Sequence, residues 1–365
     1  MPPPVPPSPD DLTVPASSPA QASWRGFIQT GAVLATALLA TLSGAILALD
    51  PYGRRAGPAH PPTPIMDINQ RYMYPQLARS GLFDSAVFGT STARLLDPKR
   101  LDASLGGQFA NLAINAGTPW EQLQLARLFL HHVRTPRTIV LGFDRPWCDP
   151  RADEPSQRVT FRSFPPWLYD ENALDDLPHL LNLKTLEIAG RVALHRLGRM
   201  PARIRGDGYD VFTPPEASYD LARARLHLAA GANEGSRAPH PPASGPLPTL
   251  SWLAEFARAL PASTRLVALF PPVHGDAQPI AGSPAEAADR ACKEAIVGAL
   301  GPSRTLALDY RTRNALTSGD TNFWDSLHYR LPIAGQIVDD IRLALQEGAL
   351  PADDRYRLLS RPGYP

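Results

Sequence analysis

Sulfur and lysine are the scarce materials of this chain: its 365 residues hold two cysteines, four methionines and lysines only at positions 99, 184 and 293. Two cysteines so far apart, Cys148 and Cys292, cannot supply a zinc ligand set or a disulfide framework. They read as two buried free thiols, although export would permit a bridge. With so little lysine, positive charge rests on arginine. The formal net charge is only +1, and the basic residues are scattered without an aromatic-interleaved stripe, which speaks against nucleic acid as a partner. Charge is also missing locally: Gly26 to Leu49 contains no Asp, Glu, Lys or Arg. At ~1.5 Å per residue that run spans about 36 Å, enough to cross a bilayer core. Arg25 alone forms the basic flank, and no clean small-x-small site precedes Asp50. The run therefore reads as an uncleaved anchor rather than a signal peptide. Arg54 and Arg55 follow the span and oppose an orientation with the N-terminus inside.

Proline, by contrast, is abundant, with 41 residues. Residues 1–25 read as a disordered proline-rich tail, since Pro, Ser and Ala leave little apolar surface to bury. Residues 26–49 are the transmembrane helix, 58–350 one large domain, and 351–365 a C-terminal tail. Within the domain, strand and helix patterns alternate. Strands are predicted at Ala86–Phe88, Gln108–Leu112, Arg137–Phe143, Arg265–Phe270 and Thr305–Leu308. Helices are predicted at Asp67–Arg79, near Thr92–Leu96, and at Pro119–Val133, Pro284–Leu300 and Pro332–Leu345. Thr118 is placed to cap the third of these. Such alternation argues for a parallel sheet with helices on both faces. Residues 145–248 interrupt it and read as an insertion beside the site. They carry helical stretches at Leu183–Leu197 and Ser218–Ala230 and a disordered loop at Gly235–Pro248.

The stretch Asp84-Ser-Ala-Val-Phe-Gly-Thr-Ser91-Thr-Ala-Arg94 reads as strand, tight turn and helix. Ser91 thereby falls at a strand's carboxyl end, where open α/β sheets keep their ligand sites. A serine hydroxyl needs a base to act as a nucleophile. Asp325-Ser-Leu-His328 supplies a candidate, because an Asp three residues before a His can accept from Nδ1–H while Nε2 faces a cleft. A chance D-x-x-H is the competing reading. What favours chemistry is the joint placement of Ser91 after the first strand and Asp325/His328 just before the last helix.

Gly89-Thr-Ser91 and Asp325-x-x-His328 resemble the first and last blocks of the SGNH (GDSL-like) hydrolases. The resemblance implies a flavodoxin-like three-layer α/β/α parallel-sheet fold and a Ser91, His328, Asp325 triad. Asn111-Leu-Ala-Ile-Asn115-Ala-Gly117 is similar to the block whose glycine N–H helps form the oxyanion hole, which would assign that role to Gly117, with Asn115 beside it. The anchor and the Asp325–Tyr329 ending are similar to membrane-attached envelope members, some of which O-acetylate exported polysaccharides. The implied work is acyl-ester chemistry, by transfer or hydrolysis, on a glycan or small acyl ester. It needs no cofactor or metal and leaves room for a membrane partner that donates the acyl group. The implied location is the inner (cytoplasmic) membrane, with the domain facing the periplasm or exterior. A non-catalytic envelope module that binds polysaccharide or a protein is the rival.

One position departs from the family pattern. Where Gly-x-Asn-Asp is usual after the third strand, this chain has Gly142-Phe-Asp144-Arg145. An ionised Asp144 would repel a developing oxyanion, and loss of one oxyanion donor costs on the order of 10²–10³ in rate. Either Asn115 replaces the donor, or Arg94 or Arg145 neutralises Asp144, or the site is weakened. Arg94 is otherwise a surface ion-pair residue or a holder of a polar substrate group. His274 either lines the cleft or is a plain loop histidine. His131-His132, adjacent on a helix, are expected to point apart and make a poor metal pair. Trp147, Trp167 and Trp324 form either a sugar-stacking platform or packing.

Overall fold

The computed structural model describes residues 1, 19–172, 176–237, 246–346 and 353–363. Most of the expected N-terminal tail and the middle of the Gly235–Pro248 loop, residues 238–245, lie outside the described residues.

The first described element is a long helix, α1 (Pro19–Leu49), whose Trp24–Leu49 stretch is long and apolar enough to cross a membrane and is almost wholly unburied. Two short helical turns follow, Gln70–Met73 and Pro75–Arg79. The single helix expected over Asp67–Arg79 is interrupted at Pro75, which has no N–H to continue the ladder, although Tyr74 before it keeps helical backbone. Then come β1 (Ser85–Phe88), α2 (Pro98–Leu105), β2 (Phe109–Asn111), α3 (Pro119–His132) and β3 (Thr138–Gly142). The insertion contributes α4 (Leu183–Arg196) and α5 (Leu221–Arg237). The alternation resumes with α6 (Pro248–Ala259), β4 (Arg265–Phe270), α7 (Pro284–Leu300), β5 (Thr305–Asp309), α8 (Leu331–Gln346) and β6 (Arg357–Ser360).

Among the described residues the strands form one sheet in the order β2-β1-β3-β4-β5-β6. The first five are parallel, and β6 runs antiparallel along β5. Residues 351–365 are therefore more than a tail, because Arg357–Ser360 covers an edge that would otherwise expose β5's backbone groups. The opposite edge is covered too: Asn111 N–H on β2 donates to Asp207 O of the insertion (2.8 Å). Alternate strand residues feed two cores. Ala86, Phe88, Ile139 and Leu141 pack with α3, α6 and α7 on one face. Val87, Val140, Val267 and Leu306 pack with α2 and α8 on the other. The result is an α/β fold with helices on both faces of a mostly parallel sheet.

Strand order reverses between β1 and β3, since β2 lies outside β1 while β4 and β5 continue beyond β3. In an open α/β sheet the crevice beyond the carboxyl ends at that point is where ligands bind. Ser91 follows β1 and Asp144 follows β3, so both lie at this crevice.

Candidate functional site

Gly89 leaves β1 with φ +154°, and a Cβ there would stand 2.7 Å from Ala93 Cβ and 3.2 Å from Gly142 O. Only glycine allows the turn to come so close to the end of β3. The helix expected near Thr92–Leu96 is instead a run of tight turns. In it Ala93 N–H donates to Thr90 O (3.0 Å) and Leu96 N–H to Ala93 O (3.2 Å). Regular helix starts only at Pro98, capped by Asp97. Tyr329 Oη donates to the Thr92 carbonyl and so ties this turn to the loop carrying His328. Burial, with Asp144's charge adding to it, pushes the Tyr329 hydroxyl well above its ordinary pKa and keeps it a donor.

The His328 loop is closed on itself by a bridge between Phe323 and Tyr329 and by Trp324 N–H to His328 O (2.8 Å). Inside it, Asp325 Oδ1 accepts the backbone N–H groups of Leu327 and His328, both at 2.8 Å. The same carboxylate meets His328 Nδ1 at 2.8 and 3.0 Å. Spacing of three residues works because one Asx-type turn fixes backbone and imidazole together. His328 Nε2 then lies 2.8 Å from Ser91 Oγ. Burial raises the Asp325 pKa, but the hydrogen bond and charge of His328 and the two backbone donors outweigh it, leaving the carboxyl below its ordinary value.

Asp144 is where the sequence reading is corrected. Its carboxylate accepts from the Thr90 and Thr92 hydroxyls, the latter at 2.9 Å, and pairs with Arg311 Nη2 at 2.8 Å. Arg311, two residues beyond β5, also donates to the carbonyls of Phe143 and Pro271. Neither expected cation takes this place: Arg94 is buried in an ion pair with Asp210 of the insertion, its guanidinium 4.8 Å from the Phe212 ring centroid. Phe212 in turn meets the His328 ring edge-on at 5.2 Å. Asp144 thus braces the residues on both sides of Ser91, and Arg94 backs the imidazole through Phe212. Nothing in the Pro- and Gly-rich surroundings of Phe212 marked it in advance.

The remaining candidates divide. Gly117 reaches the cavity wall, but its N–H donates to Ile114 O (2.9 Å) and is spent within its own turn. Asn115 is outside the cavity lining; its carbonyl accepts from Arg71 Nη1 (3.1 Å). Arg71 is fully buried against Glu121 (2.6 Å), which also completes the Thr118 capping box, and so pins the 115–121 turn. His274 is buried and is not part of the cavity lining that holds Ser91; its Nε2 lies 3.3 Å from Asp320 Oδ1, while its backbone N–H donates to Ser326 O (3.0 Å) and steadies the histidine loop. All three tryptophans pack: Trp147 on Phe143, Trp167 on His179 and Tyr52, Trp324 on Tyr219. His131 and His132 do not point apart; their rings lie 5.0 Å from one another at the end of α3, with Glu171 beside His132. Cys148 and Cys292 are not free thiols but a disulfide, joining the loop after β3 to α7.

Ser91 opens onto a cavity of about 920 Å³. Its wall near the serine is polar (Thr90, Thr92, Asp144, Arg311). Its far wall is small and apolar, drawn from Ala285, Ala288, Ala291 and Ala295 of α7 with Leu247 and Leu250. The insertion supplies Arg145, Pro146, Asp149, Gln157 and Gly231 to the same wall, so it does lie beside Ser91. A side chain on Gly231 would collide with Ser326 Oγ at 2.0 Å, which is why α5 can rest on the histidine loop. No family model, curated protein or solved structure matches the chain. The site's chemistry therefore rests on its own geometry: a serine hydroxyl hydrogen-bonded to an imidazole that is itself oriented by a carboxylate.

Proposed function

We propose that the chain carries out acyl-ester chemistry, by O-acyl transfer or ester hydrolysis, on a glycan at the cell envelope. The carrying observation is the unbroken relay from Ser91 Oγ through both imidazole nitrogens of His328 to Asp325, each contact at 2.8 Å. In this reading His328 takes the Ser91 proton as Oγ attacks an acyl carbonyl, and the imidazolium so formed is stabilised by Asp325. The Ser91 backbone N–H is the proposed oxyanion donor. His328 then returns the proton to the leaving alcohol, and a sugar hydroxyl or water, activated the same way, releases the acyl group. The fold assignment belongs to the same proposal: the parallel order 2-1-3-4-5 supports a flavodoxin-like, SGNH-like domain. A single apolar helix near the N-terminus supports membrane anchoring, and a disulfide supports an oxidising compartment for the domain.

The commitment of the Gly117 N–H favours a second reading, a polysaccharide- or protein-binding module that keeps the site's shape. One experiment separates them. A serine-directed fluorophosphonate is expected to label the wild type and not Ser91→Ala, with aryl-acetate turnover lost in parallel. A wild type that takes no label and turns over no ester leaves the binding module.

A further inference from the structure

Helix α4 is apolar on two opposite faces. Thr185, Ile188, Ala189 and Val192 point into the domain and are buried. Leu183, Leu186, Gly190, Leu194 and the C-capping Leu197 follow one another by three or four residues, which places them on a single helical face. That face is open: Leu183 is 85% and Leu197 72% exposed, with Leu186 and Leu194 above 40%. A solvent-facing helix ordinarily carries polar residues there. Leu177 and Leu181, just before α4, extend the exposed apolar surface.

Position says what covers this surface. α4 packs along the end of α1, where Leu42, Ser43, Ile46 and Leu49 form the partly buried side of a helix otherwise unburied. Arg196 Nη2 donates to Leu49 O (3.0 Å), and Tyr52 Oη meets Thr185 Oγ1 at 3.0 Å, so both ends of α4 are tied to the junction. Leu42 to Leu49 is about 10 Å of helix. The uncharged run of about 36 Å exceeds a hydrocarbon core of ~30 Å, so those last turns stand at the acyl–headgroup boundary when α1 spans a bilayer. The leucine face is continuous with that level, and the exposed Lys184, Arg196 and Arg199 flank it as the polar face of an interfacial helix does.

We infer that α4 is an interfacial membrane helix, whose Leu183/Leu186/Leu194/Leu197 face lies in the bilayer surface beside α1 and fixes the height and tilt of the domain over the lipid. The inference is independent of any chemistry at Ser91. Because both native cysteines are engaged in a disulfide, single cysteines introduced into the full-length protein can be labelled selectively. Nitroxides at Leu183→Cys, Leu186→Cys, Leu194→Cys and Leu197→Cys, in phosphatidylcholine/phosphatidylglycerol liposomes, are expected to collide with oxygen and to lose collision with a water-soluble nickel reagent. A label at Ala259→Cys, exposed on α6, serves as the aqueous reference. Nickel collision at all four leucine positions equal to that reference would overturn the inference. So would dipolar broadening between labels on separate molecules, which would assign the face to a second copy of the chain.

Discussion

Asp325 does three things with one carboxylate: it holds the backbone of its loop, it holds the imidazole, and it is positioned to favour the imidazolium. Asp325→Asn keeps an acceptor for the two backbone N–H groups but places an amide against Nδ1. The variant is expected to fold and to lose about 10⁴ in turnover through the wrong imidazole tautomer. Its stability against pH carries a sign. The carboxyl is held below its ordinary value in the folded protein, so its contribution is present above the unfolded carboxylate pKa of about 3.9 and disappears as pH falls through the lower folded value. Denaturation curves of wild type and Asp325→Asn should run parallel above about pH 5 and converge below it. At Asp144 the expectation is a double-mutant cycle. Arg311→Met leaves a carboxylate with its cation removed and should cost about 3–5 kcal/mol, as breaking a buried pair by removing one partner does. Asp144→Asn in the same chain should restore most of that loss, because neither charge then remains. Additive losses would show that Asp144 and Arg311 act separately.

Among the elements, the start of the insertion is tied to α7 by the Cys148–Cys292 bridge, which closes a loop of 144 residues. A loop of that size stabilises by about 4–5 kcal/mol in the chain-entropy treatment. Cys148→Ala/Cys292→Ala, or mild reduction, should therefore lower the melting temperature clearly. It should also loosen the cavity wall that both residues line, seen as faster hydrogen exchange in α7 near Ala288 and Ala291. Unchanged exchange there would mean that packing of α6 on α7 holds the wall without the bridge.

The whole molecule is a helix of membrane-spanning length joined to one α/β domain through a short junction. Arg54 and Arg55, which follow the apolar run and oppose an N-inside orientation by the positive-inside rule, are engaged in that junction: Arg54 pairs with Asp176 and Arg55 lies 3.4 Å from Asp50. Protease added outside spheroplasts should digest the domain from residue 58 onward. Protection until the membrane is lysed would place the domain on the cytoplasmic side, against the oxidising compartment its disulfide favours.

Composition and short spacing determined much of this protein. An uncharged run of bilayer length is a property of consecutive residues, so α1 was legible at once. Strands such as Thr138–Gly142 are continuous apolar runs because both their faces are buried. The Asp325–His328 pair was legible because one loop, closed on itself, decides its geometry. The order of the strands then brought Ser91 within 2.8 Å of a residue 237 positions away. Only the tertiary structure decided which cation meets Asp144. Sequence proximity favoured Arg94 and Arg145, yet the sheet places the end of β5 beside the end of β3, two strands over, and so delivers Arg311 instead. The same holds for the Cys148–Cys292 bridge, for Phe212 against His328, and for β6, whose pairing depends on an edge that exists only after the sheet has formed. Local backbone preference acts over a few residues; which distant side chains share a crevice is set by strand order, which no short window of residues encodes.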